Sequence, residues 1–156
     1  MKKKFLLPTS EGGQSLVELA ISLVILLYLL SGAAEFGIAL FQYVQLRDAA
    51  QEGALYGSIN PPHDAADSAA VNTIVTRAKS ASSSPIDLAN NTDVDVTVTV
   101  TGKYCEGGSI TVAASYPHKV FMPFMNKFIG NTINLKAEVT DTILTPAPLL
   151  SGACPP

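Results

Sequence analysis

Residues 19–34 carry no charge at all, consisting only of Leu, Ile, Val, Ala, Tyr, Ser and Gly between Glu18 and Glu35. Residues 36–46 are again uncharged. A bilayer is crossed by about 20 apolar helical residues, so this stretch is long enough to span one. Backbone in lipid must satisfy its own hydrogen bonds, which leaves a helix as the form such a segment takes. Lys2, Lys3 and Lys4 precede the apolar run and no lysine closely follows it. That asymmetry predicts a cytoplasmic N-terminus and an extracytoplasmic remainder.

The flanks do not read as an ordinary secretory signal, whose apolar core of about 7–15 residues follows the basic region directly and ends at a small-residue cleavage site. Here Pro8-Thr9-Ser10-Glu11-Gly12-Gly13 intervenes. A cut at the glycines would remove the leader and leave the apolar helix on the product. Glu18 then stands near the new end. Charged side chains within membrane helices cost several kcal/mol on insertion scales, about +2.5 to +3.5 for Asp and the basic residues at the centre, and usually have a function. Basic leader, Gly13, Glu18 and the long apolar helix together resemble a class III, prepilin-type signal. That resemblance implies cleavage between Gly13 and Gln14 by a prepilin peptidase. Glu18 would become the fifth residue of the product and pair with the free α-amino group of a neighbouring subunit. The plainer reading is an uncleaved signal anchor with Glu18 snorkelling to the inner interface.

The leader is assigned to residues 1–13 and the long helix to residues 14–58, with a membrane span over about 16–41. Leu40, Tyr43, Val44, Leu46, Ala50, Ala54 and Leu55 recur at roughly helical spacing, and Asn60-Pro61-Pro62 stops the helix. Gly32-Ala33-Ala34 offers a small-residue face for helix pairing. Glu35 lies about 25 Å beyond Glu18 at 1.5 Å per residue. It reads as a carboxylate at the outer interface in water, or as a second contact between subunits.

Residues 59–156 are expected to form one extracytoplasmic domain. A second helix over residues 64–80 has Val71, Ile74, Val75 and Ala78 as its stripe, and Asp64 as its N-cap. Residues 93–101 alternate strictly, with valines on one face and Asp or Thr on the other, the strongest strand signal in the chain. Asp93 and Asp95 belong to a solvated strand face, since no further carboxylates follow at calcium-loop spacing. A second strand over residues 109–116 is closed by Pro117, and a third runs over residues 132–145. Residues 120–129, dense in large apolar side chains, read as a loop with a helical turn that plugs the core, or as an exposed patch for a partner. The expected class is α+β: a long transmembrane stalk helix packed on a small antiparallel sheet, with one further short helix.

Cys105 and Cys154 are the only cysteines. Export favours a bridge between them; two free thiols are the other reading. Strands paired in chain order would bring the end of the third beside the start of the second, next to Cys105. Closing a loop of about 50 residues is worth roughly 4 kcal/mol at most.

Three segments carry a closer likeness: Gly13-Gln14-Ser15-Leu16-Val17-Glu18, then Glu35-Phe36-Gly37, then Arg47-Asp48-Ala49-Ala50-Gln51-Glu52-Gly53-Ala54-Leu55-Tyr56. With the valine-rich strand and Ser115-Tyr116-Pro117, followed by Pro123-Phe124, they resemble TadE-like proteins, minor pilins of tight-adherence pili. The resemblance implies pilus biogenesis and surface attachment. Its partners would be other pilin subunits, the prepilin peptidase, the inner-membrane assembly platform and the lipid bilayer. A pseudopilin of a type II secretion or DNA-uptake fibre is an alternative. So is an uncleaved, membrane-anchored binding protein.

Catalysis is not expected. His63 and His118 each stand alone in Pro-flanked sequence and read as surface histidines, and Ser82-Ser83-Ser84 has no base nearby in sequence. Neither a metal site nor a cofactor is expected, because no His/Cys cluster and no Gly-rich phosphate loop is present. The net charge of −3, with no basic stripe, argues against a nucleic-acid partner.

Overall fold

The computed structural model describes residues 11–122 and 125–144. Lys2, Lys3, Lys4, Pro123-Phe124 and the Pro-rich tail with Cys154 lie outside the described residues. The class is α+β. Helix α1 (Glu11–Ile59) is 49 residues long. After it come α2 (Ser68–Lys79), β1 (Asp95–Thr101), β2 (Ser109–Lys119), α3 (Asn126–Ile129) and β3 (Thr132–Thr142).

The strands form one antiparallel sheet in the order β1-β2-β3. Alternation places Val96, Val98 and Val100 of β1 inward, with Ile110, Val112 and Ala114 of β2 and Ala137 of β3. The outward face is polar, and Thr111 meets its partner Thr140 there at 2.8 Å between hydroxyls. The second half of α1 lies on the inner face through Leu46, Ala49, Ala50 and Ala54, and α2 adds Ile74 and Ala78. Fully burying a large aliphatic side chain stabilises by about 1.5–3 kcal/mol, so this one cluster supplies most of the drive to fold.

Small residues on α1 set how closely it approaches the sheet. A Cβ at Gly53 would lie 2.9 Å from the Ala78 Cβ and 3.1 Å from Val112 Cγ1. One at Gly57 would lie 2.5 Å from Ile110 Cδ1. Only glycine fits at Gly53 without moving a rigid neighbour.

Several elements differ from their expected limits. α2 begins at Ser68, and Asp67 is its cap, accepting from the Ala70 N–H at 3.0 Å. Asp64 instead accepts from the Ala66 N–H in a local turn, so its carboxylate is taken up before the helix starts. Strand β2 runs through Pro117 to Lys119. The β1 ladder reaches only Ser115, opposite Asp95, so Pro117 lies on a locally free edge where a missing N–H breaks no pairing. The segment after β2 does not plug the core in its described part, since Phe121 and Ile129 are exposed.

The strand order brings the end of β3 beside the start of β2, with Ser109 opposite Thr142. Gly107 N–H donates to the Ile143 carbonyl at 3.2 Å, and Ile143 N–H to Gly108 at 2.8 Å. Cys105 is buried next to this junction.

Candidate assembly site on the long helix

From Gly13 to Leu30 every residue of α1 is exposed, a length of about 27 Å at 1.5 Å per residue. That approaches the ~30 Å of a bilayer's hydrocarbon core. The helix is long and apolar enough to cross a membrane. The bare part is shorter than the 16–41 span expected from hydropathy, because the folded domain begins to clothe α1 at Ser31 and Gly32. Glu18 is exposed on this bare part, and it forms no ion pair with any described residue. Gly13 and Gln14 both lie inside the helix.

Where the domain begins, three polar side chains project from the covered side of α1. Helical side chains slant toward the N-terminus, so the Glu35 carboxylate reaches back over the turn that holds Ser31 and Gly32. It is neither in water nor directed outward, but 2 % exposed inside its own chain. His118 Nε2 lies 2.8 Å from Glu35 Oε1. Phe121 N–H donates to the same oxygen at 3.0 Å, and Met122 N–H to Oε2 at 2.8 Å. One turn pair farther along, Gln42 Oε1 meets His118 Nδ1 at 2.6 Å. His118 is therefore a buried strut, 2 % exposed, and not the surface histidine expected from its surroundings in sequence.

Gln45 fastens a second segment. Its Nε2 donates to the Ile86 carbonyl at 2.6 Å and to Ser82 Oγ at 3.1 Å, and its Oε1 accepts from Ile86 N–H at 3.0 Å. The amide thus substitutes for a strand partner and closes the serine-rich loop onto the helix. Farther up, Arg77 of α2 pairs with Glu52 at 2.7 Å on the surface, a contact worth little in water.

Glu35, Gln42, Leu46, Ala49, Gly53 and Gly57 follow one another at helical spacing and mark the face that carries the domain. Phe36, Leu40, Phe41 and Val44 lie off that face and stay exposed, extending the apolar surface of the bare half alongside the domain. Among the described residues no group of three or more His, Cys, Asp or Glu side chains could hold a metal ion.

No curated protein and no solved structure matches the chain. The model of the family described as TadE-like protein matches residues 13–55. The matched stretch begins at the first residue of the bare segment and includes Glu18, Glu35, Gln42, Gln45 and Gly53, while the sheet and α2 lie beyond it. Over this N-terminal helix, from the bare apolar half to the residues that fasten the domain, the chain is similar to the TadE-like family.

Proposed function

We propose that this protein is a minor pilin of a tight-adherence pilus, a structural subunit without catalytic activity that serves pilus biogenesis and surface attachment. The observation that carries the reading is the TadE-like helix itself, with a bare apolar half bearing Glu18 and a second half fastened to a folded domain. The bare half anchors the subunit in the inner membrane, N-terminus in the cytoplasm and domain outside. Prepilin peptidase cuts between Gly13 and Gln14. The new α-amino group of one subunit then meets Glu18 of another, and the two charges, each costly alone in an apolar setting, offset one another. The exposed stripe of Phe36, Leu40, Phe41 and Val44 gives neighbouring helices an apolar surface to pack on. Other pilins, the peptidase, the inner-membrane assembly platform and lipid are its partners. A Cys105–Cys154 bridge ties the tail to the start of β2.

Intact mass of the membrane form tests the processing step, with loss of residues 1–13 expected. Glu18→Ala should yield a folded, processed subunit that enters pili poorly. Wild-type piliation in that variant would overturn the pairing.

A further inference from the structure

The bare part of α1 ends at Leu30, and the domain begins one residue later. With the bare part in the hydrocarbon core, the outer interface lies at the level of Ser31 to Glu35. The described residues between β2 and β3 form a lobe held at this same level. Its neck is closed by the pairs His118–Ile133 and Lys119–Thr132, and by Val120 N–H donating to the Asn131 carbonyl at 3.0 Å. Its near side is fixed to α1 by the Phe121 and Met122 N–H groups on Glu35. Its far side reaches lower, since a Cβ at Gly32 would touch Met125 Cε at 3.7 Å.

This lobe carries the most exposed large apolar side chain among the described residues, Phe121 at 80 %, together with Ile129 at 44 %. In water that exposure is unfavourable. Beside the end of a membrane span, just above the exposed Leu29 and Leu30, the same exposure becomes favourable. Lys127, exposed on the same lobe, is opposite in charge to lipid phosphate. Aromatic and basic side chains gather at this depth in membrane proteins generally.

We infer that the lobe between β2 and β3 dips Phe121 into the headgroup–acyl boundary of the outer leaflet, so that the domain rests on the bilayer that α1 crosses. Glu35 is the positioning residue, fixing the height of the lobe on the helix. The inference rests on the membrane-anchored reading, and its test separates the two. The chain contains no tryptophan, so Phe121→Trp introduces a single indole. The full chain carrying this substitution is reconstituted into phosphatidylglycerol–phosphatidylcholine vesicles. Emission is recorded with aqueous acrylamide, and with nitroxide lipids labelled near the headgroup or near the chain end. Thr99→Trp, on the exposed face of β1 toward the opposite end of the sheet, is the reference.

The expected result is a blue-shifted indole, quenched several-fold more by the shallow nitroxide than by the deep one and shielded from acrylamide relative to the Thr99→Trp protein. An indole as open to acrylamide as the reference and untouched by nitroxide overturns the inference while leaving the anchor intact. An indole shielded from both quenchers also overturns it, pointing to a second protein copy as the occupant. Failure of the chain to float with the vesicles overturns the anchored reading itself, and this inference with it.

Discussion

Glu35 receives three hydrogen bonds, two from backbone N–H groups and one from a buried imidazole. Truncation leaves those donors without an acceptor in a covered site, where each orphan costs roughly 1–3 kcal/mol. Glu35→Ala should therefore lower the stability of the detergent-solubilised chain by roughly 3 kcal/mol, and Glu35→Gln, which keeps an acceptor oxygen, by about half of that. Thermal unfolding checks both; an unchanged midpoint for Glu35→Ala would show that the clasp is not structural. Asp67 gives a prediction in pH. The N–H donors of Ala70 and then His63 hold its carboxyl below the ordinary range, outweighing a small opposing effect of desolvation. A depressed folded-state value means that the cap's contribution is present above the unfolded value near 4 and is lost as pH falls through the lower folded one. Below pH ~4 the Asp67→Ala and parent proteins should converge in melting temperature; above it the parent should be the more stable. A constant gap across that range would exclude the cap as the source.

Among the elements, α1 owes its seat on the sheet to residues without side chains. Gly53→Ala gains up to about 1 kcal/mol of helix propensity but forces a methyl against the Ala78 Cβ and Val112. Overpacking of this kind costs roughly 1–3 kcal/mol, so the net effect should be destabilising. Gly37→Ala meets nothing within 4 Å and should be neutral or stabilising by less than about 1 kcal/mol. Opposite signs in paired melting curves are the expected outcome, and a stabilised Gly53→Ala would contradict the close approach. The strands were legible in the sequence because alternation is a local signal: residues 93–101 and 132–145 state which side faces inward, and their order follows from short connections. α2 was legible in type but not in its start, since the Asp64 carboxylate is taken up by the turn at Ala66 and the cap falls to Asp67 three residues later. Pro117 misled for a different reason. Its effect depends on whether β1 is alongside, which the residues around it do not say.

For the molecule as a whole, the uncharged run marks one long apolar helix, but not where that helix becomes covered, since residues 36–46 are as free of charge as residues 19–34. What holds the domain at that boundary was not legible either. Glu35 and His118 are separated by 83 positions, and neither has a local feature that names the other. A glutamate in an apolar helix asks for a partner, but a lone histidine beside proline does not advertise itself as one. Processing belongs to this scale as well. Gly13→Leu should block the proposed cut, so that precursor of full mass accumulates in the membrane and piliation falls sharply. A product of normal mass from this variant would place the cut elsewhere.

The helix is also fastened at its far end, where Leu144 N–H donates to the Ser58 carbonyl at 2.9 Å just after β3. Ties near both extremities of the clothed half mean that a tug along the helix axis cannot peel the sheet away strip by strip. Both fastenings must yield together, with Gly53 and Gly57 sliding past Val112 and Ile110 in the same stroke. A pull along the axis of α1 therefore loads its contact with the sheet in shear, and the domain moves together with its helix.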